Sequence, residues 1–266
     1  MIFSQRKIIA EGGITINLIL QYAGICLKGH RSAACEDNLF CQGALRPLHE
    51  PESPLFTGMV SAESGAGFAV FDGSGRHSSG QYASHMAAQF FGQQHPMDDD
   101  RLSVRFCQQY GQMIDQYAVR HHISSMGTTM AALWTTARGL RGMNVGDSRC
   151  YQMRQGELFL LSQDHTLRRS FSHRDVLTQY LGMPEKDYIM EPWHFHSDPA
   201  PGDRFLLCTR GLTQALSLRE ISSILRMSRD PSVLIKKFME SIDRHGREND
   251  TTLIVLCVRD IAEGGT

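Results

Sequence analysis

The order in which apolar runs and helical stretches follow one another constrains the fold of this chain most. Seven runs rich in β-branched or aromatic residues, each bounded by Gly, Asp, Asn or Pro, are typical of strands: Ile14–Gly24, Asn38–Gly43, Gly67–Gly73, Thr128–Thr136, Leu140–Arg154, Arg204–Gly211 and Thr251–Asp260. Four stretches have helical periodicity, and the first two lie together between the third and fourth runs: Ser79–Gly92, Leu102–His121, Ser217–Met227 and Ser232–His245. Because helices do not alternate with strands, the pattern favours an α+β fold with antiparallel sheets covered by helices.

Length, composition and charge favour one globular domain over residues 1–266, with its core at about 14–260. The 266 residues, 41% of them hydrophobic, can bury a large core. A formal net charge of −1 gives no electrostatic reason to expect nucleic acid or an anionic membrane as a partner. The apolar stretch Ile14–Leu27 is too short and too polar to span a bilayer, so we interpret it as a strand.

The cysteines and histidines indicate no soft-metal or redox site. The seven cysteines are scattered, and none forms a Cys-x-x-Cys pair. Most lie in apolar runs, so we expect buried free thiols in a reducing cytoplasm and no disulfide framework. The histidines lack the His-Glu-x-x-His spacing of zinc enzymes and are interpreted as core or surface residues.

Acidic residues stand next to several predicted strands. One strand ends in Asp72-Gly73, where a carboxylate and a closely approachable backbone suit a hard cation that prefers oxygen ligands. Glu36 and Asp37 precede another strand, and neighbours in an extended segment point to opposite faces. Asp147 lies in a turn between two apolar strands. Taken singly, each of these also fits an ordinary solvated turn or an Asx turn.

In their order along the chain, these segments resemble the metal-dependent serine/threonine phosphatases of the protein phosphatase 2C, or PPM-type, family. The resemblance covers nearly everything from Gly24 to Asp260 and rests on seven blocks: Glu36-Asp37, FAVFDGSGRH (68–77), SMGTTMAAL (125–133), NVGDSRCYQMRQGELFLLSQDHTL (144–167), TQYLG (178–182), GDRFLLCTRGLTQALSLREI (202–221) and NDTTLIVLCV (249–258). It implies a four-layer α-β-β-α sandwich of two antiparallel sheets flanked by helices. It also implies hydrolysis of phosphoserine and phosphothreonine with Mg²⁺ or Mn²⁺ as cofactor.

The resemblance also implies metal ligands. By motif, Asp72 would bridge two cations, and the carbonyl group of Gly73 and the carboxylate of Glu36 would complete one of them. Asp37 would support that set, and Asp147 resembles a ligand of a third, weaker metal. Two cations would lower the pKa of a shared water and neutralise the phosphate, so that no covalent intermediate is needed.

Two further residues are candidates for catalytic roles by the same resemblance. Arg31 resembles the phosphate-binding arginine of the family, although it lies one residue further from Glu36 than the pattern has it. His77 is a candidate acid that protonates the leaving alkoxide.

Two ligand positions of the family pattern are degenerate in this chain. The family has Ser-Asp-Gly-Leu where this chain has Thr209-Arg210-Gly211-Leu212, and the last ligand aspartate is replaced by Asn249. The two changes add three units of positive charge, and one unit charge about 4 Å away is worth roughly 4 kcal/mol at an effective dielectric of about 20. We therefore expect at most one well-held ion, or none.

The sequence leaves open how these two positions are used. Arg210 could pair with Asp72 or a neighbouring carboxylate as an internal cation, or it could extend into solvent. A one-residue slip could present Asp250 in place of Asn249. Three functions remain: a weakened phosphatase, a pseudophosphatase that binds a phosphoprotein or kinase partner, and a purely structural domain. The segment Thr166–Asp203 is where we expect substrate selection, and the oligomeric state is not indicated.

Overall fold

Two antiparallel sheets lie face to face in the middle of the molecule. The computed structural model describes residues 8–9, 15–16, 18–75, 79–94, 100–123, 125–167, 176–183 and 190–260. With strands numbered in chain order, sheet one has the spatial order β15 (Trp193–Ser197), β10 (Gly139–Val145), β9 (Met130–Thr136), β7 (Gly67–Gly75), β4 (Asp37–Cys41) and β5 (Ala44–Leu45), and β8 (Met126–Thr128) pairs with the end of β7.

Sheet two is built around the two longest strands of the described chain. Its order is β12 (Glu157–Leu160), β11 (Arg149–Arg154), β16 (Arg204–Cys208), β17 (Thr251–Asp260), β3 (Leu18–Leu27) and β6 (Phe56–Ser61). β17 pairs with β3 from Thr251 opposite Leu27 to Asp260 opposite Leu18. Two short ribbons lie outside both sheets, β1 (Ile8–Ile9) with β2 (Thr15–Ile16), and β13 (Thr166–Leu167) with β14 (Val176–Leu177).

Helices cover the outer face of each sheet, which confirms the predicted four-layer arrangement. α1 (Gly80–Phe91) and α2 (Asp100–His121) pack on sheet one, and α3 (Arg210–Ala215), α4 (Leu218–Arg226) and α5 (Pro231–Arg244) pack on sheet two. A third apolar cluster fills the space between the sheets. Ser217 and Glu220 begin α4 with a capping box. None of the described helices combines the length and the apolar character needed to cross a membrane.

Three sequence predictions of element boundaries are wrong. The run Leu140–Arg154 is two strands in different sheets, because Gly146 adopts a φ of +91° and the chain crosses from sheet one to sheet two there. The run Arg204–Gly211 ends as a strand at Cys208, and α3 begins at Arg210. The seven predicted runs leave out the edge strand β6, which pairs with β3.

All seven cysteines are buried and free, as the sequence predicts.

The fold also brings several strand ends to one end of the sandwich. The starts of β4, β11 and β17 and the ends of β3, β7 and β16 lie there, because antiparallel neighbours place a start beside an end.

Candidate functional site

Asp37 and Asp72 face each other across β4 and β7 at this end of the sandwich. Directly opposed residues of an antiparallel pair hold their Cβ atoms about 5 Å apart, so the two carboxylates share one small space. Asp37 is buried, and its Oδ2 accepts a hydrogen bond of 2.7 Å from the Thr209 hydroxyl. The Asp72 carboxylate has no donor within hydrogen-bond distance among the described residues, whereas its backbone N–H donates to Thr129 Oγ1.

Glu36 approaches the pair from the turn before β4. Its Oε1 accepts from the backbone N–H of Gly80, the first residue of α1, at 3.2 Å, where the helix dipole favours a carboxylate. The backbones of Gly73 and Gly80 are in close contact here, since a Cβ built on Gly80 would lie 2.6 Å from the Gly73 carbonyl carbon. Glycine at both positions therefore allows α1 to approach the acidic turn.

Asp250 also belongs to this cluster, from the turn before β17. Its Oδ1 accepts from the N–H of Gly29 and its Oδ2 from the N–H of Glu36, both at 2.7 Å. The carboxylate is therefore held by two backbone donors, and it also raises the pKa of Asp37 and of Asp72 by charge repulsion. Asn249 points elsewhere, because its amide donates to Gln214 Oε1 at 2.9 Å on the surface.

Arg210 forms an ion pair inside the site. Its Nη1 lies 3.2 Å from Oδ2 of Asp147, and the Arg210 side chain is 33% exposed whereas that of Asp147 is 8% exposed. Nε and Nη2 of Arg210 have no acceptor among the described residues. Arg210 thus pairs with a neighbouring carboxylate, and its positive charge also lowers the pKa of Asp72.

The carboxylates carry an excess of negative charge that the described cations do not balance. Burial, with the charges of Asp147 and Asp250 next in effect, raises the pKa of Asp72 to about 7. Burial likewise raises the pKa of Asp37, Glu36 and Asp147, and the Arg210 charge opposes the rise only at Asp147 among these three. A cluster of this kind must hold protons or bind a cation.

The predicted site residues are thus partly brought together. Glu36, Asp37, Asp72, Asp147 and Arg210 converge, while the side chain of Asn249 faces away from them. The Arg31 side chain is 70% exposed and pairs with Glu248 at 2.8 Å. His77 lies outside the described residues.

Sequence reasoning missed the residues that hold the cluster in place. Arg46 is buried and binds the backbone beside Glu36, yet it follows a short strand in a proline-containing turn and has no motif around it. Thr209 donates to Asp37 and accepts from the N–H of Thr252, so it joins β4 to β17. The replacement of a serine by Thr209 in the family pattern was the one available signal for this residue.

The acidic cluster offers the oxygen donors that hard divalent cations prefer, and the number of ions that it holds stays a prediction. Carboxylate and carbonyl oxygens are the ligands that Mg²⁺ and Mn²⁺ prefer, and Asp72 offers a carboxylate that no described donor engages. Glu36, Asp37, Asp147 and Asp250 are each engaged by a protein donor. Among the described residues, no group of three His, Cys, Asp or Glu side chains forms a ready-made metal site. The ligand roles of Asp72, Gly73 and Glu36 stay a prediction.

Comparisons with known proteins agree with this fold. Residues 38–250 match the family described as Protein phosphatase 2C. The serine/threonine protein phosphatase PstP of Mycobacterium tuberculosis is 24% identical over 94% of this chain and 47% of its own, so this chain spans about half the length of that relative.

Two solved structures are similar to the fold. PppA, described as a key regulatory component of T6SS in Pseudomonas aeruginosa, has a TM-score of 0.72 at 22% identity, covering 92% of this chain and 100% of that one. The catalytic domain of PstP, solved with two manganese ions, has a TM-score of 0.69 at 24% identity, covering 91% and 100%. Because the family match spans well over half of the sequence, this chain belongs to the protein phosphatase 2C, or PPM-type, family.

Proposed function

We propose that this chain is a PPM-type phosphatase-like protein that binds phosphoserine- or phosphothreonine-containing protein segments and hydrolyses them weakly or not at all. The observation that carries the proposal is the Arg210–Asp147 ion pair, because the family has a ligand aspartate at position 210. A fixed guanidinium at that position opposes a second cation by charge repulsion. The chain acts as a single domain in this proposal.

Asp72, the Gly73 carbonyl and Glu36 would hold one Mg²⁺ or Mn²⁺ ion. Such an ion would neutralise part of the phosphate charge and lower the pKa of a bound water. Asp37 would support this set of ligands, and the hydrogen bond from the Thr209 hydroxyl fixes its carboxylate. Burial, and after it the charges of Asp147 and Asp250, raise the pKa of Asp72, and a bound cation would stabilise its ionised form.

Arg210 would bind the phosphate group. Its Nε and Nη2 groups are free of described acceptors, and a guanidinium can donate two parallel hydrogen bonds to a phosphate. A guanidinium has no coordination position for water, however, and cannot generate a nucleophile as a second cation does. Phosphate binding can therefore persist where hydrolysis is lost.

The alternative is a catalytically inactive pseudophosphatase that serves as a binding module for a phosphoprotein or kinase partner. The two replaced ligand positions favour it, and its partner would be held without turnover. The seven buried free thiols support a reducing compartment such as the cytoplasm for either function.

A phosphatase assay tests the proposal. Purified protein is given Mn²⁺ with para-nitrophenyl phosphate, and then with phosphoserine and phosphothreonine peptides, and we expect little or no hydrolysis. Asp72→Ala is the matched control, and it removes whatever turnover the unmodified protein has. Peptide binding by fluorescence anisotropy, compared with the unphosphorylated peptide, is expected to weaken in Arg210→Ala.

The possible results distinguish an active phosphatase, a pseudophosphatase and a structural domain. Robust Mn²⁺-dependent turnover that Asp72→Ala abolishes would contradict the proposal and restore an active phosphatase. Binding of the phosphopeptide without turnover supports the pseudophosphatase. If the protein shows neither phosphopeptide binding nor turnover, the result supports a purely structural domain.

A further inference from the structure

Arg46 is a buried arginine that contacts backbone rather than a carboxylate. It is 1% exposed, and its guanidinium makes four hydrogen bonds to carbonyl oxygens in the described chain. A buried charge is normally paired with an opposite charge, so this arrangement needs a reason. No described carboxylate forms an ion pair with it.

The carbonyl groups that Arg46 binds stand on either side of Glu36. Nε donates to the Asp37 oxygen at 3.0 Å and Nη2 to the Cys35 oxygen at 2.9 Å. On the other side of the guanidinium, Nη1 donates to the carbonyl oxygens of Pro47 and Glu50. The guanidinium therefore ties the segment that carries both acids to the loop that follows β5.

Arg46 is itself fixed beside Asp37. The side chain of Asn38 accepts from the Arg46 N–H at 2.9 Å and donates to the Arg46 carbonyl oxygen at 3.1 Å. Asp250 completes the arrangement, since it accepts the N–H of Glu36. The peptide groups around Glu36 are thus bound on both their carbonyl and their N–H sides.

We propose that Arg46 is a positioning residue that holds Glu36 and Asp37 in the acidic cluster by binding the carbonyl groups on either side of Glu36. The planar fork of a guanidinium reaches two carbonyl groups of one segment and two of another, which the point charge of a lysine ammonium cannot do. The inference rests on the proposed role of this cluster as a cation site.

Arg46→Lys tests the proposal, because it keeps the positive charge and removes the planar guanidinium that donates to both segments. The matched control is Arg154→Lys. The guanidinium of Arg154 donates hydrogen bonds to the Asp203 carboxylate and to the Asp198 carbonyl oxygen, at the end of β11 and β16 that lies opposite the acidic cluster. Hydrogen exchange at the Glu36 amide, measured without metal, is expected to be about tenfold faster or more in Arg46→Lys, as the loss of hydrogen bonds to a charged donor implies. The control is expected to leave that amide unchanged even where it lowers the melting temperature.

Mn²⁺ affinity gives the second readout. We expect Arg46→Lys to weaken it by about tenfold or more and Arg154→Lys to leave it unchanged. Equal exchange at Glu36 in both variants would overturn the proposal. If the unmodified protein binds no Mn²⁺, the proposed cation site fails, and the metal-free exchange experiment still decides the role of Arg46.

A second measurement covers the case in which Arg46→Lys does not fold. In the unmodified protein, NMR follows exchange of the Arg46 Nε–H and of the Glu36 amide with increasing denaturant. If the guanidinium holds this segment, both protons open with the same free energy and the same denaturant dependence. A Glu36 amide that exchanges freely while Arg46 Nε–H stays protected would contradict the proposal.

Discussion

At the scale of single residues, charge decides what this site can do. The opposed pair Asp37 and Asp72 supplies negative charge, and Arg210 supplies a positive charge where the family pattern has an acid. Asp250 adds one more carboxylate, but two backbone N–H groups hold it. The site therefore keeps its carboxylates and holds a guanidinium at one position where the family pattern has a ligand aspartate.

Asp72→Asn is expected to stabilise the metal-free protein at neutral and higher pH. The pKa of Asp72 is raised to about 7 in the folded protein, against about 3.9 for an aspartate in an unfolded chain. Between these values the unfolded chain has lost the proton that the folded protein keeps, so Asp72 makes stability fall as the pH rises through this window. The amide cannot ionise and removes that loss.

Urea unfolding at pH 4 and pH 8, in the presence of a chelator, checks this prediction. We expect Asp72→Asn to exceed the unmodified protein at pH 8, with the difference shrinking towards pH 4. The control Asp203→Asn breaks the ion pair with Arg154 and is expected to lower stability. A loss of stability at pH 8 for Asp72→Asn would show that the carboxylate repulsion is absent.

At the scale of elements, glycines let the loops of the site approach each other. Gly211 in α3 packs against the turn before β17, where a Cβ would lie 2.7 Å from Thr251 Oγ1 and closer still to the Asp250 carbonyl oxygen. Gly29 packs on the other side of the same turn, where a Cβ would lie 2.6 Å from the Asp250 nitrogen. The position of Asp250 thus depends on both glycines.

Gly211→Ala is expected to destabilise the fold by about 1–3 kcal/mol, the usual effect of overpacking against a backbone that cannot give way. Gly111→Ala is the control, because Gly111 lies inside α2 with nothing within 4 Å of a built Cβ. There alanine is expected to stabilise by about 0.5–1 kcal/mol through helix propensity. Chemical denaturation measures both, and equal effects of the two variants would contradict the close approach of α3 to the turn.

The type of an element could be predicted from the sequence where one burial pattern runs along the whole element. The ten-residue strand Thr251–Asp260 was predicted with its correct bounds, because nearly all of its residues are buried. Within the run Leu140–Arg154 the sequence predicts a turn at Asp147, but it does not show that the strands on either side of this turn lie in different sheets. Such a change of sheet is set by tertiary packing, which local propensity does not carry.

At the scale of the whole molecule, the stacked antiparallel sheets explain how distant residues meet. Strand starts and ends alternate along each sheet edge, so residues from 36 to 250 reach one end of the sandwich. The family pattern predicted which acids would meet there. It left open whether Asn249 or Asp250 faces the cluster, because which of two adjacent side chains in a turn points inward depends on the contacts around the turn. In the structure the Asn249 amide donates to Gln214, and Asp250 takes the inner position.

Mn²⁺ stoichiometry by titration calorimetry tests the central claim most directly. The unmodified protein is compared with the double variant Arg210→Asp, Asn249→Asp and with the single variant Arg210→Asp, and Asp72→Ala serves as the control that lacks the Asp72 carboxylate. We predict at most one bound ion for the unmodified protein, and two ions with a rise in phosphatase turnover for Arg210→Asp. The double variant is expected to match Arg210→Asp, because the side chain at position 249 faces Gln214 and not the acidic cluster. Two tightly bound ions and full turnover in the unmodified protein would contradict the claim that Arg210 replaces a cation.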